Sequence, residues 1–138
     1  MKEKNFQTMF GTWIKENEQA TTAFELKICK LKSLSFDSVK EHQVEALVEA
    51  KHGYLYHKIS DSPIFPGHKT RFTKPKPFDC LVISESKAYV VIWYYHPRQP
   101  KEMIWIDIND WLKEVKASDR KSLTEERAKE IGKVIKFK

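Results

Sequence analysis

Apolar residues recur along the chain with two periods, and the alternation between them predicts the order of elements. Between residues 4 and 17, Phe6, Phe10, Trp13 and Ile14 fall at helical spacing and predict an amphipathic first helix. After a short polar loop, Ala23–Leu31 alternates strictly. Phe24, Leu26 and Ile28 share one face of a strand, while Glu25, Lys27 and Cys29 share the other. Ser38-Val39-Lys40-Glu41 matches a capping box and opens a second helix. Its stripe is Val39, Gln43, Ala46, Leu47 and Ala50, and it ends near Gly53. Tyr54–Ser60 reads as a strand. Asp61–Pro77, with four prolines and a glycine, is the longest irregular stretch. Phe78–Ile83 and Lys87–Tyr95 predict a hairpin joined by Ser-Glu-Ser-Lys. A strand over Met103–Ile108 follows, then a short helix around Trp111–Lys116 capped by Asn109 or Asp110. Ser122-Leu123-Thr124-Glu125 is a second capping box, its helix stopping at Gly132, and Lys133–Phe137 adds an edge strand. The expected architecture is one α/β (α+β) domain over residues 1–138, a central mixed sheet with helices packed on it.

Composition narrows the class. At 138 residues with 41% hydrophobic positions, the chain is long enough to bury a core and too apolar for a disordered protein. The formal charge of +6 favours phosphate-bearing or anionic partners. No run approaches the roughly 20 apolar residues that span a bilayer, and the charged N-terminus does not read as a signal peptide. The two cysteines, Cys29 and Cys80, form neither a CxxC nor a zinc-spaced cluster, so a reducing, cytoplasmic setting with two buried free thiols is expected.

The residues with most chemical content are Glu25 and Lys27. Two positions apart on a strand, they project side by side. A carboxylate can hold Mg²⁺ through oxygen, and a neighbouring lysine can orient a water or steady the charge that builds on a phosphate. The ordinary alternative is a charge pair on an exposed sheet face. Gln43 interrupts the apolar stripe of the following helix and must find a polar partner, whether a nearby backbone group or the site. Asp79 stands in the apolar run Pro77–Ile83, where a buried carboxylate needs either a metal or a salt bridge.

The order Glu25-x-Lys27, then Ser33-Leu34-Ser35-Phe36, then His42-Gln43 on a helix resembles RecU-type Holliday-junction resolvases of the PD-(D/E)xK nuclease superfamily. The strand Ala88–Tyr95 and Lys121-Ser122-Leu123 before a helix echo the family's C-terminal half. The likeness is close over roughly residues 23–50 and loose over 78–132. It implies a restriction-endonuclease-like fold, Mg²⁺ or Mn²⁺ as cofactor, hydrolysis of DNA phosphodiesters and a homodimer that offers two sites to a two-fold symmetric junction. Carried over by position, Glu25 is a metal ligand, Lys27 the catalytic lysine and Gln43 an active-site polar group. The family's metal-binding aspartate before the ExK strand has no counterpart here. Asp79, delivered from a later strand beside the ExK strand, is its natural replacement and implies a rearranged or permuted site; Asp61 is its rival. Gln7 stands where the family's first helix often carries a glutamate.

The irregular segment supplies a surface for the substrate. Lys69, Arg71, Lys74 and Lys76 oppose only Asp61, a local excess of +3 (four minus one), and Phe72 sits among them. Such a loop can neutralise DNA phosphates, with Phe72 stacking on or wedging between bases; the alternative is a solvated loop anchored by Phe72. Lys113, Lys116, Arg120 and Lys121 form a second basic group, read as a solvated helix face. Base-reading motifs, nucleophile elbows and phosphate-cradling glycine loops are all missing, which disfavours sequence-specific DNA reading, Ser/His/Asp catalysis and ATP-driven chemistry. Another nuclease of the superfamily and a basic nucleic-acid-binding domain without catalysis remain the competing classes. Trp93, Tyr94, Tyr95 and Trp105 serve either a dimer interface or the core.

Overall fold

The apolar run Lys87–Tyr94 forms the inner strand around which the chain is organised, because its side chains are buried alternately on both faces of a sheet. The computed structural model describes residues 2–17, 21–60 and 77–137. Among them the elements run α1 (Glu3–Asn17), β1 (Thr22–Cys29), β2 (Ser33–Ser35), a 3-10 turn over Phe36–Ser38, α2 (Glu41–His52), β3 (Tyr54–Lys58), β4 (Cys80–Ser84), β5 (Lys87–Tyr94), β6 (Glu102–Asp107), α3 (Ile108–Ala117), β7 (Ser122–Thr124), α4 (Glu125–Ile131) and β8 (Lys133–Lys136). A mixed sheet in the order β1-β5-β6-β8 lies at the centre, β1 parallel to β5 and the other pairs antiparallel. The mixed α/β architecture expected from the sequence is the one observed.

Strand alternation divides the core in two. Ala88, Val90, Ile92 and Tyr94 point to the face shared with Leu47 and Ala50 of α2, Trp111 of α3 and Ala128 of α4. Val91 and Trp93 point the other way, onto Phe6 and Phe10 of α1 with Met103 and Trp105 of β6. Phe24, Leu26 and Ile28 of β1 join this second, aromatic layer, in which the Phe24 ring meets Phe10 and Trp105 edge-on at 4.8 and 4.9 Å. Their neighbours Glu25 and Lys27 consequently face the α2 side.

Two short ladders sit outside the central sheet. β2 pairs with β7, joining Leu34 to Leu123 across the ladder in the core, and the Phe36 N–H donates to the Lys121 carbonyl at 3.1 Å. β3 pairs with β4 as a separate antiparallel ribbon alongside α2.

Several local expectations are corrected. β4 and β5 are consecutive but do not form a hairpin: β4 turns to β3, while β5 inserts beside β1, where its two-sided apolar pattern can be buried. Ser38 lies in the 3-10 turn and donates to the Ser35 carbonyl, so α2 begins two residues later with Lys40 at its N-cap. The cap of α3 is Asp107, whose carboxylate accepts from the Asn109 N–H at 2.9 Å. For α4 it is Thr124 and not Ser122, which is held in β7. Leu31, past the end of β1, is 77% exposed. Cys29 is buried as expected, but Cys80, on the ribbon, is exposed. Trp93, Tyr94 and Trp105 are buried within the chain, which removes them from any dimer surface.

Candidate functional site

Glu25 and Lys27 occupy the only charged positions in the run Phe24–Cys29 of β1, on the face that α2 covers. Their side chains are 21% and 14% exposed, and the Lys27 ammonium lies 2.9 Å from Glu25 Oε1. The face is therefore partly buried and not open to solvent, while the ion pair of the ordinary alternative is present. The same Oε1 accepts a second hydrogen bond, 2.8 Å long, from the Gln43 side-chain amide.

Gln43 reaches this position because of how its helix starts. Its Oε1 accepts from the Lys40 backbone N–H at 2.8 Å, satisfying one of the orphan donors of the first turn. With the carbonyl end of the amide held by the cap, the NH₂ end is directed at Glu25. One side chain thus makes both contacts, to the Lys40 backbone and to the Glu25 carboxylate.

The remaining sequence candidates are placed differently. Asp79 is exposed, just before β4, and its carbonyl accepts from the Ile59 N–H at 2.8 Å. Its strand pairs with β3 and not with β1, so it is neither a buried carboxylate nor delivered from the neighbouring strand. The strand beside β1 is β5, which presents Val90 opposite Glu25 and Ile92 opposite Lys27. Gln7 is exposed on α1, a helix packed on the opposite face of the sheet, and the sheet itself separates it from Glu25. Asp61, Lys69, Arg71, Phe72, Lys74 and Lys76 lie outside the described residues. Lys113, Lys116, Arg120 and Lys121 are exposed, as a solvated face requires.

Sequence reasoning missed two further polar clusters on the α4 side. The Arg127 guanidinium grips both oxygens of the buried Glu114 carboxylate at 3.0 Å each. Glu125 accepts from His96 at 2.6 Å and pairs with Lys129 at 3.2 Å. Burial pushes the Glu125 carboxyl upward, but these two partners outweigh it and hold it below the usual range. The i,i+4 spacing of Glu125 and Lys129 was a readable signal for one pair; Arg127 with Glu114 of α3, and His96 with Glu125, are brought together only by tertiary packing.

Mg²⁺ is commonly held by one or two carboxylates, with waters and substrate phosphates completing its octahedron. Glu25 fits that ligand chemistry: a carboxylate has about four lone-pair sites, and the two donors on Oε1 leave capacity for a cation. Among the described residues no group of three or more His, Cys, Asp or Glu side chains converges to make an all-protein cage. No helix among them is long and apolar enough to cross a membrane.

Comparison with family models, curated proteins and solved structures finds no match to this chain.

Proposed function

We propose that this chain is a Mg²⁺-dependent endodeoxyribonuclease of the RecU-like, PD-(D/E)xK kind, acting on branched DNA as a homodimer. The observation that carries the reading is the Glu25–Lys27–Gln43 cluster, two charges of β1 and an amide of α2 gathered where the helix covers the sheet. A further support is that Ser33–Phe36 and Lys121–Leu123, which carry the family likeness at its two ends, are hydrogen-bonded to each other.

In this reading Glu25 would hold the metal, with Asp79 as the second carboxylate to be tested. The bound cation would supply a water of lowered pKa and polarise the phosphodiester. Lys27 donates to the attacking water or to the phosphate oxygen on which charge accumulates, and Gln43 fixes the Glu25 carboxylate in one rotamer. The site as described carries no base-reading element, so selectivity rests on DNA shape and charge.

A second reading, a nucleic-acid-binding domain without catalysis, is favoured by two features: Lys27 neutralises Glu25 directly, and Asp79 is exposed and off the central sheet. Cleavage of labelled four-way junction, duplex and single-stranded DNA with Mg²⁺ or Mn²⁺ separates them. Metal-dependent nicks near the branch, lost in Glu25→Ala and reduced about 10²-fold or more in Lys27→Ala, are expected. Loss in Asp79→Ala as well would assign the second ligand. Activity on duplex alone would move the chain to another nuclease type. Folded protein that binds DNA and cuts none of the three would establish the binding domain.

A further inference from the structure

The β3–β4 ribbon presents one face that nothing among the described residues requires for folding. Antiparallel register places Tyr54 opposite Ser84, Tyr56 opposite Val82 and Lys58 opposite Cys80, so these six side chains share one face. Tyr54 is 71% exposed, Tyr56 57% and Val82 55%. The other face carries the half-buried pair Leu55 and Ile83. Single exposed apolar residues are ordinary, but two tyrosines and a valine contiguous on one ribbon face mark an interaction surface.

Charge and spacing identify the occupant. The ten ribbon residues contain one lysine and one histidine and no acid. The chain as a whole carries +6. A second copy of this chain would bring the same positive charge to the contact, whereas a polyanion complements it. Tyr54 and Tyr56 are two residues apart on a strand, a rise of about 6.8 Å. That is twice the roughly 3.4 Å spacing of stacked bases, the separation that one base inserted between two rings requires.

We infer that the outward face of the β3–β4 ribbon is a stacking platform for unpaired nucleobases, with Tyr54 and Tyr56 as the stacking rings and Lys58 on the adjoining phosphate. The inference rests on the nucleic-acid part of the function proposed above and adds to it the substrate feature, bases displaced from the duplex.

The test is fluorescence anisotropy with the full chain in EDTA, where metal-dependent cleavage is blocked, at one fixed ionic strength. The probes are a single-stranded oligonucleotide and a blunt duplex of the same sequence. Tyr54→Leu and Tyr56→Leu are each expected to weaken single-strand binding about tenfold and leave duplex binding unchanged, while Tyr54→Phe and Tyr56→Phe keep wild-type affinity. Val82→Glu, which retains both rings but places a negative charge between them and the phosphates, should weaken it too. Single-strand affinity unchanged in both leucine variants and in Val82→Glu overturns the inference while leaving the nuclease reading to its own cleavage assay. Wild-type protein that binds neither form overturns the inference and leaves the branched-DNA reading to its cleavage assay. Self-association in sedimentation that the leucine substitutions abolish, with DNA binding intact, would instead make this face a contact between copies and overturn the platform.

Discussion

Gln43 Nε2 lies 2.8 Å from Glu25 Oε1, joining the first turn of α2 to β1 across 18 residues of chain. Since the other end of the same amide is held by the Lys40 N–H, replacing Gln43 breaks a cap and a site contact together. Gln43→Ala should cost about 1–3 kcal/mol of stability, read from urea unfolding. Gln43→Glu should be worse at neutral pH, where two carboxylates would face each other. Its deficit should shrink on acidification, as protonation removes the repulsion. A Gln43→Glu variant as stable as wild type at pH 7 would show that the amide does not direct this contact.

Glu25 and Lys27 are both largely buried, so each leaves the other uncompensated when removed alone. Glu25→Gln and Lys27→Met should each destabilise more than the double substitution requires by addition. A coupling of about 1 kcal/mol is expected, between the values for surface and fully buried pairs. Additive single effects in a double-mutant cycle would mean the pair contributes nothing to folding and is kept for another reason.

Two glycines should respond in opposite directions. A Cβ on Gly132 would stand 2.8 Å from both the Ile104 Cγ2 and the Trp105 carbonyl oxygen, wedging α4 off β6. Gly132→Ala should lower stability by about 1–3 kcal/mol. Gly11, inside α1, has no heavy atom within 4 Å of the same added carbon. Gly11→Ala should raise stability by about 0.5–1 kcal/mol, seen as a higher Tm.

The cysteines should separate by rate. Cys29 is buried, and burial together with the nearby Glu125 carboxylate pushes its thiol pKa up. Cys80 is exposed. An aromatic disulfide reagent should therefore modify one thiol at least about tenfold faster than the other in native protein, and both alike in denaturant. Loss of the fast phase in Cys80→Ser assigns it; two fast thiols in native protein would place Cys29 at the surface.

Glu125 contributes a pH dependence of known sign. Its folded pKa is held below the ordinary 4.5 by His96 and Lys129. The ionised carboxylate thus stabilises the fold throughout the range above 4.5, and that contribution is lost as the pH falls through the lowered value. The stability difference between wild type and Glu125→Gln should be positive at neutral pH and shrink below pH 4.5. A difference independent of pH would mean the interaction does not depend on the charge.

What the sequence by itself determined is local and periodic. Phe6, Phe10 and Trp13 at helical spacing marked α1, the alternation of Phe24, Leu26 and Ile28 assigned Glu25 and Lys27 to one face, and Gly132 marked the end of α4, because periodicity follows from backbone geometry alone. The polar break at Gln43 was legible for the same reason: an amide on a buried stripe has to be satisfied. Tertiary structure decided everything that depends on which strands meet. β4 looked like the partner of β5 because they are adjacent in sequence. β5, apolar on both faces, is stable only inside a sheet covered on both sides, so it pairs with β1 and leaves β4 to β3. That choice took Asp79 off the strand next to Glu25, put the sheet between Gln7 and the site, and exposed Tyr54 and Tyr56. Long-range pairing is selected by burial summed over the whole core, and no window of sequence contains that sum.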